Sequence, residues 1–254
     1  MKLHFKTMGE GDPLIILHGL FGSGDNWQTL ARQYAETHKV YLVDQRNHGH
    51  SPHSDEFSYE LMASDLAELI EDEGLENISI LGHSMGGKTA MVHACTYDQD
   101  VVKLIIVDMA PKAYPVHHRL ILDGLMSADL ANKRSRGEVS KHLESFESNP
   151  AVRQFLMKNL YWKEKGELAW RFNVPVINRE IQAMVDQPVH GSSNIASLFI
   201  RGGQSNYILL EDEQLIKHYF PFASLFSIES AGHWVHAEAP ETFYEITRIY
   251  LDAP

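Results

Sequence analysis

Hydrophobic and polar positions along this chain fall into two alternating registers. Short continuous runs rich in β-branched residues recur: "LHFKT" (3–7), "LIILH" (14–18), "VYLVD" (40–44), "ISIL" (78–81), "KLIIVD" (103–108), "SLFIRG" (197–202) and "SLFSIE" (224–229). Between them lie segments with helical spacing, at 26–37, 58–74, 84–98, 211–220 and 239–252. In the second of these, Leu61, Met62, Leu66, Leu69 and Ile70 form an apolar stripe that Asp65 interrupts. Continuous apolar strands separated by helices predict a mostly parallel sheet buried on both faces. The first two runs, joined by "MGEGDP", read as a hairpin at one sheet edge.

The alternation stops between Pro111 and Pro188. This stretch reads as helices with no strong strand: "HHRLILDGLMSADL", "SRGEVSKHLESF", "NPAVRQFLMKNLYW" and "PVINREIQAMV". We therefore expect an α/β core made of 1–110 and 189–254, with 111–188 inserted as a helical cap over the carboxyl ends of the strands. Ligands of such sheets bind at that end. Most of the large apolar cap residues, among them Phe146, Phe155, Leu156, Trp162, Trp170 and Phe172, should pack the cap, with only a few facing a substrate.

At the junction of one strand and the next helix the chain reads Gly82-His83-Ser84-Met85-Gly86. This is G-x-S-x-G in its strand–turn–helix context, which holds a Ser hydroxyl at the tip of a sharp turn. A Ser hydroxyl is a weak nucleophile until a base takes its proton. "SIESAGHWVHAEAPE" puts His233 in a loop after the last strand, at the same end of the sheet, with His236 as the rival three residues on. For the carboxylate, "LIIVDMAP" presents Asp108 at a strand end. In "LFIRGGQSNY" the next strand end carries Ser205 where an acid could stand, and Glu211 and Asp212 follow only later. Asp108 is the choice, with Glu211, Asp212 or a backbone group as the fallback. The oxyanion of the intermediate needs preorganised N–H donors. We assign Met85, directly after the nucleophile, and Leu20 in the turn "LHGLFGSGDNW", with Phe21 as the alternate.

These segments, in this order with "DQRNHGHS", resemble the α/β-hydrolase superfamily over nearly the whole chain. The "HGLFGS" turn, "RNHGHS" and "GGQSNY" are most similar to the YbfF-type bacterial esterases. That resemblance implies an acid at Asp108 and hydrolysis of carboxylic esters, with acyl-CoA thioesters as further substrates.

Composition narrows the picture. The formal net charge of -12 argues against nucleic acid as a partner. Apolar runs are too short to span a bilayer, so no membrane insertion is expected. The single cysteine, Cys95, and a first strand without a signal-peptide core point to the cytoplasm. Cys95 itself reads as a small core residue. His48, His50 and His53 have a spacing that could ligate metal, but no Asp-His pair follows. No metal and no cofactor is expected, and "DQRNHGHS" reads as a turn fixed by Asp44 and Arg46. His117 and His118 at the start of the cap are taken as solvent-facing.

The expected function is a serine hydrolase acting on short- to medium-chain acyl esters through an acyl-enzyme. An acyl-CoA thioesterase is the alternative, and Lys112, Arg119, Lys133, Arg134, Arg136 and Lys141 could line a CoA site. A ligand-binding homologue without turnover is the third reading. The expected partner is a small-molecule ester or thioester, and a homo-oligomer is left open.

Overall fold

The computed structural model describes residues 1–97, 99–132, 135–164 and 166–253. Lys133 and Arg134, considered above for a CoA site, lie outside the described residues, as does Asp98 at the end of the 84–98 segment. The elements run β1 (Phe5–Met8), β2 (Pro13–Leu17), α1 (Gln28–Tyr34), β3 (Lys39–Val43), α2 (Tyr59–Glu73), β4 (Ile78–His83), α3 (Met85–Thr96) and β5 (Val101–Val107). Then come α4 (Arg119–Ser127), α5 (Arg136–Leu143), α6 (Pro150–Met157), β6 (Leu160–Glu164), β7 (Glu167–Trp170) and α7 (Val174–Val185). The chain closes with β8 (Ala196–Gly202), α8 (Glu213–Tyr219), β9 (Ala223–Ile228), α9 (Val235–Glu238) and α10 (Pro240–Asp252).

Seven strands form one sheet in the order β1-β3-β2-β4-β5-β8-β9. All pairings are parallel except β1 with β3. Because strand side chains alternate between faces, the sheet feeds two cores. Ile15, Leu17, Ile80, Leu104 and Ile106 join α2, α3 and the inserted segment. Leu14, Ile16, Leu81, Ile105 and Val107 join α1 and α10 on the other face. A sheet covered on both sides in this way needs strands that are apolar throughout, and β4 is buried at every position.

Two expectations need correction. The first two strands do not form a hairpin, because β1 pairs antiparallel with β3, in register Phe5↔Val43. The linker between β1 and β2 crosses over the α1–β3 connection. There Gly9, at φ 79, lies so close that a Cβ would sit 2.3 Å from the His38 carbonyl oxygen. β2 is thereby carried past β3 into the sheet interior. The segment between β5 and β8 is also not wholly helical. The expected helix over 149–162 ends at Met157, and β6 pairs with β7 as an antiparallel ribbon, with Leu160↔Trp170 and Tyr161↔Ala169. The aromatic residues Tyr161, Trp162 and Trp170 favour strand over helix, and local helical spacing concealed this.

Helix α2 illustrates how local signals and long-range pairing combine. Ser58 caps its start by accepting the Leu61 N–H at 3.3 Å, and Gly74 ends it at φ 58. Asp65, the interruption in its apolar stripe, accepts two bonds from the Arg46 guanidinium, at 2.6 and 2.9 Å, with both groups buried. Asp65 thereby anchors the loop after β3. No helix among the described residues is long and apolar enough to cross a membrane.

Candidate active site

The turn between β4 and α3 is built by close backbone approach. A Cβ on Gly82 would sit 2.4 Å from the Gly86 carbonyl oxygen, and one on Gly86 would sit 2.4 Å from that of Leu17. Glycine alone fits both places. Between them Ser84 adopts φ 53 and ψ -117, a left-handed conformation that costs a non-glycine residue on the order of 1–3 kcal/mol. The strain directs its hydroxyl away from the helix and toward the loop after β9.

His233 lies in that loop. Its Nε2 is 3.0 Å from Ser84 Oγ, and its Nδ1 is 2.8 Å from Asp108 Oδ2. The carboxylate fixes the tautomer: Nδ1–H donates to Asp108, which leaves Nε2 free to accept the Ser84 proton. Asp108 is fully buried at the end of β5, also with a positive φ, of 49. Its Oδ1 accepts the Gly202 N–H at 3.1 Å, and its Oδ2 accepts a short bond from the Ser205 hydroxyl. Ser205, where the sequence lacks an acid, therefore holds the acid supplied by the neighbouring strand. Tyr207 stacks on the His233 ring, 3.9 Å between centroids and 20° from parallel.

The other candidates are engaged elsewhere. His236 stacks on Trp27 at 4.0 Å and 14°, and burial together with the charge of His233 pushes its pKa down to about 3. Asp212 pairs with Lys112 and accepts the Leu209 N–H at 2.8 Å, and Glu211 is exposed. His83, which sequence reasoning passed over, is buried beside Ser84. It donates from Nε2 to the His233 carbonyl at 2.9 Å, and burial and the neighbouring His236 and His233 hold it well below the ordinary imidazole range. Glu238 accepts the Gly232 N–H at 2.7 Å and the Trp234 N–H at 3.2 Å, so the loop carrying His233 is held from both ends.

Met85 opens α3, so its N–H has no intrahelical acceptor. The turn with Leu20 packs against Ser84, and a Cβ on Gly19 would lie 3.3 Å from Ser84 Cβ. The alternate donor, the Phe21 N–H, is engaged by His48 Nε2 at 3.2 Å. His48 Nδ1 donates to the Arg46 carbonyl at 3.0 Å, and burial lowers the pKa of this ring to about 3. His18 Nε2 accepts the Gln45 N–H at 3.0 Å, and Asp44 accepts the Gly24 N–H at 2.7 Å. The "DQRNHGHS" segment thus braces the turn that carries Leu20, and both ring nitrogens of His48 bond main-chain groups.

Above Ser84 lies a cavity of about 190 Å³ walled by Phe21, Ile121, Val152, Phe155, Leu156 and Trp234. The walls from Ile121 to Leu156 come from the inserted segment, whose Leu156, Met157, Leu160, Trp170 and Phe172 are otherwise buried in packing. His118, expected in solvent, instead lines this cavity with a pKa lowered by burial to about 4. His117 is exposed, as expected. Of the basic residues considered for CoA, Lys112 pairs with Asp212, Arg119 bonds Asn178 at 2.8 Å, and Arg136 donates to the Met157 and Leu160 carbonyls. Cys95 is half-buried on α3, and burial pushes its thiol up to about 11.

A family model described as the alpha/beta hydrolase fold matches residues 12–240. The chain belongs to the α/β-hydrolase family. Esterase YbfF of Escherichia coli K12 is 34% identical over 99% of this chain and 100% of its own length. An sn-1-specific diacylglycerol lipase of Xenopus laevis is 36% identical over 92% of this chain and 77% of its own. Among solved structures, a marine microorganism esterase superposes with a TM-score of 0.95 at 42% identity, covering 98% of this chain and 99% of the other. Within the family, this α/β-hydrolase is thus similar to esterases and lipases, and the similarity to a YbfF-type enzyme spans the whole fold.

Proposed function

We propose that this α/β-hydrolase is a serine carboxylesterase. The observation that carries the reading is the continuous chain Ser84 Oγ, His233 Nε2, His233 Nδ1, Asp108 Oδ2, with links of 3.0 and 2.8 Å. The relatives named as esterases support it.

In this reading His233 takes the Ser84 proton as Oγ attacks the ester carbonyl carbon. The imidazolium that forms is stabilised by buried Asp108, whose carboxylate also accepts from Gly202 and Ser205. The carbonyl oxygen becomes an oxyanion bound by the Leu20 and Met85 N–H groups, each donor of this kind being worth roughly 100- to 1000-fold in rate. His233 then gives its proton to the departing alkoxide, and the acyl group stays on Ser84. A water, deprotonated by His233, attacks the acyl-enzyme, and His233 passes that proton to Ser84 Oγ as the acid leaves. Every proton has a donor and an acceptor among these residues. A small-molecule ester as substrate and a cytoplasmic setting belong to the same proposal.

A fluorophosphonate ester tests the reading. It should add one phosphonyl group per chain, found on the peptide containing Ser84, and inactivate the enzyme in step. Labelling elsewhere, or inactivation of ester cleavage without labelling of Ser84, overturns it.

A further inference from the structure

Ser84 stands between two spaces of unequal size. The cavity of about 190 Å³ continues outward, past Asn26, Val152, Phe155, Trp234 and His236, into an open groove of about 550 Å³. On the other side of Ser84 is a cleft of only about 30 Å³ walled by Tyr59, Met85, Met109, Tyr114, Ile181 and Met184. Leu20, Ser84, His118 and Tyr207 border both.

The reaction decides which part of an ester enters which space. His233 must protonate the leaving oxygen, so the alcohol lies on the side that His233 faces. His233 and Trp234 wall the large cavity, and the small cleft is instead walled by the start of α3 and by α7. With the oxyanion held at Leu20 and Met85, the acyl chain is left with the small cleft. One water takes roughly 10–15 Å³ on this scale, so the cleft admits about two heavy atoms beyond the carbonyl.

The cleft is also braced against widening. Lys88, one turn after Ser84, is buried with its ammonium 5.1 Å from the Tyr59 ring centre and 5.8 Å from that of Tyr114. It donates to the Lys112 carbonyl at 2.9 Å and to the Gln187 carbonyl, the two points where the inserted segment leaves and rejoins the core. The Tyr114 N–H donates to the Val185 carbonyl at 2.7 Å across the same junction. Its hydroxyl accepts the Ala110 N–H at 2.8 Å and donates to the Tyr207 carbonyl at 2.7 Å. These bonds tie the walls of the small cleft to one another, whereas the large cavity runs on into the groove past Phe155 and Trp234.

We infer that this enzyme is selective for short acyl groups, acetyl or propionyl, on large and largely apolar alcohols, with the acyl group between Tyr59 and Met184 and the alcohol between Phe155 and Trp234. The inference rests on the serine-esterase reading above.

Two ester series test it. With p-nitrophenol fixed, kcat/KM should fall by at least ~10-fold from acetate to octanoate, the scale on which a pocket rejects extra methylenes. With acetate fixed, acetate release should hold steady or rise from ethyl to hexyl ester. Met184→Ala should raise the octanoate-to-acetate ratio of kcat/KM by ~10-fold, and Ile181→Val gives the same test more mildly should Met184→Ala not fold. A wild-type preference for octanoate, with acetate release falling along the alcohol series, overturns the assignment of the two spaces while leaving the esterase reading intact. An unchanged acyl profile in the folded variants does so too. Absence of hydrolysis across both series overturns both.

Discussion

The imidazole of His83 donates to the main-chain carbonyl of His233 over 2.9 Å. The residue before Ser84 thus holds the backbone of His233, 150 positions away in sequence. His83→Phe removes that bond while keeping a ring in the space. We expect kcat on p-nitrophenyl acetate to drop by about 10- to 100-fold with little change in KM, since the loss is one of alignment rather than binding. A parallel rise in KM at unchanged kcat would argue that His83 serves substrate binding instead.

The carboxylate of Asp108 is held by three donors, and they differ in weight. Asp108→Asn should cost on the order of 10⁴-fold in kcat, because the amide favours the wrong imidazole tautomer. Ser205→Ala removes one charge-assisted hydrogen bond and leaves Gly202 and His233 in place, so a loss of about 10- to 100-fold is expected. Steady-state rates on one ester measure both. Equal losses would mean that Ser205 takes part as directly as Asp108.

Arg46 and Asp65 form a buried pair, and Asp65 also accepts from the Met1 ammonium at 2.7 Å. Asp65→Ala leaves the guanidinium uncompensated, which typically costs about 3–5 kcal/mol. Chemical denaturation of the variant and the wild type gives the difference directly. A loss below ~1 kcal/mol would show that the Glu56 carbonyl, 3.1 Å from the same guanidinium, suffices.

Several imidazoles are buried neutral. His48 and His236 are lowered to about 3 and His118 to about 4, and His83 lies well below 6.5, in each case chiefly through burial. The unfolded chain binds protons at these rings near pH 6.5, whereas the folded chain does so only at lower pH. Their contribution is therefore fully present above pH 6.5 and is lost as pH falls from there toward 3. Thermal unfolding from pH 8 to pH 4 should show Tm falling steeply below pH 6.5. His236→Phe, which keeps a ring on Trp27, should flatten part of that fall. An identical slope in the variant would contradict the assignment for His236.

The turn at Ser84 was legible because its requirements are local: a strand, two glycines at points of close approach, and a helix start. Asp108 was legible by elimination along the strand ends. Other contacts were not. Ser205 appeared in the sequence only as a missing acid, and its bond to Asp108 spans 97 positions. Asp65 showed as a flaw in an apolar stripe, and its partner Arg46 emerges only when α2 packs on the loop after β3. The misplaced first hairpin has the same origin: strand pairing is decided by where the linker crosses, and residue patterns within β1 and β2 do not encode that. The β6–β7 ribbon was hidden because its nine strand residues, of mixed aromatic and charged character, satisfy either period.

The most direct test is the rate of p-nitrophenyl acetate hydrolysis by wild type and by Ser84→Ala at equal concentration. We expect the substitution to lower kcat by ~10⁴-fold or more, the scale set by removal of a nucleophile. Ser84→Ala retaining activity near the wild-type level would contradict the proposed mechanism, whatever the geometry of His233 and Asp108.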